Sequence, residues 1–302
     1  MFTPSKSNPG AAIALMLLAT VFIAGTTLLA KAIGTGRLGE PLHPLQISHG
    51  RFVFAFVAIG SFAAITRPTI RKPDLKLHFA RSLFGWGGVS LMFAAVAFIP
   101  LADATAISFL NPVFAMMLAI PLLGEKVGRV RWSAAAIALV GALILLRPGP
   151  ASFQPAALLA LAAAMVMGVE IICIKRLSGR EAPLQILLIN NAIGLVIASL
   201  AVVAVWQPPN LSQWAALAGI GLLMATAQAC FVNAVARADA SMVVPFSYAT
   251  LIFATLYDLA IFGVVPDAIS ALGAGVIIAG ATLLAWREAT LRRSPPPVKS
   301  SL

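Results

Sequence analysis

Twelve side chains able to hydrogen-bond or carry charge lie in stretches of sequence that are otherwise apolar: Thr26, Arg51, Trp86, Ser90, Asn111, Glu170, Thr226, Gln228, Asn233, Ser247, Tyr248 and Asp258. A polar group in an apolar medium is costly unless a partner, a cavity or a ligand satisfies it, so these residues are the candidates for chemistry. Glu170 admits two readings. It either pairs with Lys175 or Arg176 at the end of its segment, or it is a carboxylate in low dielectric that exchanges a proton for a cationic group. Arg51 and Asp258 stand at comparable depth from one end of their segments, which predicts a pair acting as a gate or structural lock. Trp86 and Tyr248, with Phe93, offer ring faces to an apolar side chain or serve packing.

Two prolines break the apolar stretches that carry several of these groups. In Asp103 to Glu125, Asn111 precedes Pro112; in Asp239 to Asp267, Pro245 precedes Ser247 and Tyr248. Proline has no amide hydrogen and crowds the carbonyl four residues earlier, so it frees the carbonyls of Ser108 and Ser241. In lipid such a carbonyl survives only against protein or a water-lined cavity. Asn111 and Ser247 adjoin the breaks and either bond the freed carbonyls or present donors to a substrate carboxylate.

Composition decides the medium. The chain has 302 residues, 60% hydrophobic and 10% charged, which places it in a bilayer. Ten stretches approach the ~20 residues that cross a hydrocarbon core. They are Ala11 to Ile33, Pro44 to Thr66, Leu77 to Ile99, Thr105 to Leu123, Trp132 to Leu146, Pro155 to Ile174, Pro183 to Trp206, Gln213 to Val235, Ser241 to Phe262 and Ala268 to Trp286. Spans five and ten are nearly free of polar groups, which suits scaffold or homodimer-facing helices. A net charge of +11 would otherwise point to nucleic acid, but the basic residues lie between spans and have a topological meaning instead.

Those basic residues collect on one side: Lys6; Arg67, Arg71, Lys72, Lys76 and Arg81; Lys126, Arg129 and Arg131; Lys175, Arg176 and Arg180; Arg237; and Arg287, Arg292, Arg293 and Lys299. The positive-inside rule puts that side, with both termini, in the cytoplasm. The tail from Arg287 to Leu302 reads as disordered and basic.

The two halves repeat. Pro44-Leu45-Gln46-Ile47 returns as Pro183-Leu184-Gln185-Ile186, and Gly124 and Gly141 return as Gly263 and Gly280 at the same offset; Gly85 and Ala102-Asp103-Ala104 match Gly221 and Ala238-Asp239-Ala240. Five spans per copy is an odd number, so the second copy inserts upside down. Such a pair provides two near-equivalent conformations, one open to each side. The expected fold is an all-α integral membrane protein of ten transmembrane helices in two five-helix inverted-topology repeats. It divides into a leader (1–10), a first repeat (11–147), a linker on the non-cytoplasmic side (148–154), a second repeat (155–286) and a tail (287–302).

The segment Asn111-Pro112-Val113-Phe114 leading to Leu123-Gly124-Glu125, followed by a span with Gly141-Ala142, resembles the first repeat of the EamA-type exporters of the drug/metabolite transporter superfamily. The second copy departs from the pattern, with Pro245 three positions early and Val264 in place of Glu125. The resemblance implies a bacterial inner-membrane exporter of amino acids and related metabolites; the inverted repeat adds alternating access, and the polar residues within the spans give Thr26, Trp86, Asn111, Glu170, Gln228, Asn233, Ser247 and Tyr248 as expected substrate contacts. Two other readings stand beside it: a proton-coupled exporter of organic cations or drugs, and a membrane sensor or scaffold that moves nothing. No HExxH, Walker sequence or Asp-rich motif is present, so no enzyme, cofactor, metal or direct ATP drive is expected.

Overall fold

A computed structural model describes residues 9–70, 72–124, 127–147, 154–178, 180–235, 237 and 244–293. The described residues are helical throughout the apolar stretches. In chain order the helices are α1 (Pro9–Gly34), α2 (Pro44–Thr66), α3 (Leu75–Val96), α4 (Leu101–Ser108), α5 (Asn111–Leu123), α6 (Arg129–Leu146), α7 (Ala157–Ser178), α8 (Pro183–Val202), α9 (Leu211–Val235), α10 (Ala249–Tyr257) and α11 (Ala268–Arg293). Among the described residues nine spans are long and apolar enough to cross a membrane, with α4 and α5 together forming one; the apolar helix Phe246–Phe262 is shorter. The chain is an all-α membrane protein of two five-span halves. Its last helix runs on past Trp286 to Arg293, where the sequence pointed to a disordered tail. Glu125 and Ser241 lie outside the described residues.

Local chemistry sets the helix ends. Pro44 and Pro183 open α2 and α8, where proline's missing amide would have had no helical partner. The repeat counterparts Gly124 and Gly263 close their spans in the left-handed conformation, with φ of 67° and 68°. The break predicted at Pro112 lies at Phe109 and Leu110, whose amides bond only three residues back, to Ala106 and Ile107. The span containing Pro245 starts as a 3-10 turn (Val244–Tyr248), becomes α10, and ends as a π turn (Asp258–Phe262). Both spans singled out by their prolines are thus irregular.

Packing pairs the halves with two-fold logic. Helix α1 lies along α9 while its repeat mate α7 lies along α3; α2 packs on α8, and α6 on α11. Small residues permit these close approaches, as they do where lipid supplies no hydrophobic drive between helices. Gly141 and Gly280 show the rule: a Cβ on the first would meet Gly273 O and Ile277 N at 2.8 and 2.7 Å, and on the second Ala134 O and Ala138 N at 2.7 and 2.6 Å. The interior is filled by Ile33, Phe52, Ile107, Leu110 and Leu217, while Phe98, Leu200 and Leu211 point outward toward lipid.

Candidate functional site

Three buried charges converge inside the bundle from three spans. Arg51 comes from α2, Arg81 from the second turn of α3, and Glu170 from α7. Arg81 Nη2 stands 3.7 Å from Glu170 Oε1, and Arg51 lies within electrostatic range of both. The two arginines are each 5% exposed. Glu170 is the more open, at 20% of its side chain. Gly85 makes room for it, since a Cβ there would stand 2.8 Å from Glu170 Oε1. Arg81 also reaches the carbonyl of Ile186 at the start of α8. Arg51 Nε and Nη1 and Arg81 Nε have no hydrogen-bond partner among the described residues. Along α3, Trp86 Nε1 and Ser90 Oγ are buried and unpartnered in the same sense.

This cluster corrects two expectations. Arg81, counted with the loop cations, is a buried residue of α3, because it lies on the side of that helix that faces α7 and α8. Arg51 does not pair with Asp258. The partner of Asp258 is Lys31, Nζ to Oδ1 at 2.6 Å with side-chain exposures of 8% and 1%. The other oxygen of Asp258 accepts the amide of Leu101 at the start of α4. Lys31 also covers the ring of Phe262 at 4.6 Å. Span ends are therefore stapled on the face opposite the basic loops, with α1, α4 and the end of the α10 span drawn together. On the same face Arg147 grips Asp267, and these bonds push the Asp267 carboxyl down to about 2.

The basic face has its own fastening. Glu181, between α7 and α8, receives His78 Nε2 at 2.8 Å, Gln185 Nε2 at 2.6 Å and the amide of Asp74 at 3.1 Å. Desolvation raises its carboxyl, but the bonds from His78, Asp74 and Gln185 outweigh that and hold it below the ordinary range. A cavity of about 510 Å³ opens here, lined by Asp74, Lys76, Leu77, Ala80, Arg176 and Arg180. Arg176 donates to the carbonyl of Leu122, an exposed bond between the end of α7 and the end of α5.

The remaining candidates are distributed more widely. Phe109 and Tyr248 meet edge to face at 5.0 Å, so the two irregular spans touch at their breaks. Asn111 and Pro112 are half-buried beside that contact, as is Ser247. The carbonyl of Asn111, the Cβ of Phe114 and the amide nitrogen of Ala115 run close to Gly168. Thr26 and Thr226 bond carbonyls of their own helices, at Ile23 and Leu222. Asn233 bonds Ala229 and receives Arg237, a local arrangement at an exposed helix end. Gln228 has a buried Oε1 with no hydrogen-bond partner among the described residues. Pro245 lies in the 3-10 turn.

The family model for the EamA-like transporter family matches the chain twice, over residues 10–147 and 154–286. The chain belongs to the EamA-like transporter family. It is 32% identical to a riboflavin transporter of Vibrio cholerae over 75% of this chain and 77% of that one. It is 25% identical to an S-adenosylmethionine uptake transporter of Rickettsia bellii over 83% of this chain and 87% of the relative. A pseudopaline exporter of Pseudomonas aeruginosa is also 25% identical, over 69% and 74%. One crystal structure shares the fold with a TM-score of 0.61 at 22% identity, covering 95% of this chain and all of that one. As an EamA-like protein the chain is a membrane transporter of small metabolites and not an enzyme.

Proposed function

We propose that this transporter carries amino acids and related zwitterionic metabolites across the bacterial inner membrane by alternating access, loading from the cytoplasm and running on solute gradients. The single observation that carries the reading is the charge content of the interior: Arg51, Arg81 and Glu170 stand together with both signs represented. A zwitterion brings one carboxylate and one ammonium, and only a site with both signs matches each. Two cations against one anion disfavour an organic cation as cargo.

The cavity supports loading from the cytoplasm: the basic face, cytoplasmic by the positive-inside rule, holds the 510 Å³ cavity beside its Glu181 fastening, while the opposite face is fastened by the Lys31–Asp258 pair. Inverted halves supply the second, outward-open arrangement.

Liposomes containing the purified transporter and labelled neutral amino acids test this. Downhill flux without ATP, reduced at least tenfold by Arg51→Gln with normal folding, is the expected result. Flux of organic cations alone, dependent on a proton gradient, would overturn it.

A further inference from the structure

We infer that the arginine pair is a carboxylate-binding site in which Glu170 stands where the carboxylate of the cargo binds and is displaced by it. The inference rests on the amino-acid reading above and deepens it. Buried guanidinium groups are retained only when their donors are met, because an unpaired charge in the interior costs more than almost any packing gain. Here Arg51 Nε and Nη1 and Arg81 Nε are met by none of the described residues. Among the described residues the anion facing them is Glu170, which approaches Arg81 to 3.7 Å, beyond hydrogen-bonding reach.

The site is thus short of one anion and rich in planar donors, the arrangement that suits a carboxylate gripped by two N–H groups at once. Glu170 is built to give way. It is more exposed than either arginine, and against α3 it rests on the bare backbone of Gly85 with no side chain there to hold it. When a cargo carboxylate takes the arginines, Glu170 is freed to accept the cargo's ammonium. The exchange replaces one internal ion pair by two intermolecular ones and strands no charge. Lys76, Arg176 and Arg180 around the cavity on α3 and the α7 end raise the local concentration of carboxylates at the loading side.

Three compounds with one ring and chain separate the charges: L-phenylalanine, 3-phenylpropionate and 2-phenylethylamine. Thermal stabilisation of the purified full chain in detergent is titrated with each. In the unaltered protein the zwitterion and the acid are expected to stabilise, and the amine not. Arg51→Gln should weaken the acid roughly 30-fold or more, the lower end of what removing one member of a buried charged contact costs. Glu170→Gln, which keeps shape and folding, should strengthen the acid about fivefold, one modest ion pair's worth, and abolish the zwitterion's advantage over it. An amine that binds as well as the acid, no stabilisation by either carboxylate, or weaker acid binding in Glu170→Gln overturns the inference. Carboxylate binding without amino-acid flux in liposomes refutes the transport reading and leaves the site standing; flux indifferent to Arg51→Gln does the reverse.

Discussion

Removing the negative member of the Lys31–Asp258 pair is the most severe single test of how the bundle is held. Asp258→Asn keeps an acceptor for the Leu101 amide but leaves the Lys31 ammonium without its partner at a site where the two side chains are 8% and 1% exposed. Breaking a buried pair on one side costs about 3–5 kcal/mol, because the surviving charge has lost its compensation. Lys31→Met removes the charge and also its contact with the Phe262 ring, a contact worth about 0.5–2 kcal/mol. The double variant, Lys31→Met with Asp258→Asn, has no stranded charge. It should recover most of the loss, giving a coupling of about 2–3 kcal/mol between the two positions. Equilibrium unfolding by urea in micelles reads all four proteins. A single Asp258→Asn cost below about 1 kcal/mol, the range of an exposed pair, or strictly additive losses in the double variant, would refute the reasoning. The same fastening draws α1, α4 and the α10 span together on the side facing away from the basic loops. Its loss should also increase labelling of a cysteine placed at Ser90 by a membrane-impermeant reagent added from that side.

Other consequences are measurable in the same preparations. Gly141→Ala and Gly280→Ala each push a methyl into backbone atoms of the facing helix at under 3 Å, so each should destabilise by about 1–3 kcal/mol, whereas Gly60→Ala, which faces open space, should not. Asp267 has its carboxyl pushed down to about 2 by Arg147, against an ordinary value of about 3.9. Its contribution is therefore complete above that ordinary value and is lost as pH falls toward about 2. Asp267→Asn should flatten that acid limb of the melting midpoint and leave neutral pH little changed. Glu181→Ala strips the acceptor from His78, Gln185 and the Asp74 amide together, and should cost about 1–3 kcal/mol for the donors it leaves buried, measured by urea unfolding.

Much of the architecture is legible in the chain because a bilayer imposes a one-dimensional rule. Length and hydropathy place the spans, and Pro44, Pro183, Gly124 and Gly263 mark their ends through backbone chemistry that needs no partner. The breaks near Pro112 and within the span of Pro245 are local for the same reason. The matched glycines Gly141 and Gly280 announced the two-fold relation, since close approach between helices demands them on both sides. Glu170 stood out as a carboxylate in an apolar run.

What stayed hidden is azimuth. Counting residues at 1.5 Å each fixes how deep a side chain lies but not which neighbour it faces. Lys31, Arg51 and Asp258 occupy a similar band of depth, and only the packing of α1 along the α10 span selects Lys31 as the partner of Asp258. Arg81 looked like one more cation of a basic loop, yet the rotation of α3 about its axis turns it inside, where α7 presents Glu170. Sequence alone determined that the chain is a two-fold, broken-helix membrane bundle, because apolar length, proline and glycine act within a few residues. Tertiary structure alone decided which buried charges meet, because that depends on how each helix is rotated about its own axis against helices distant in the chain.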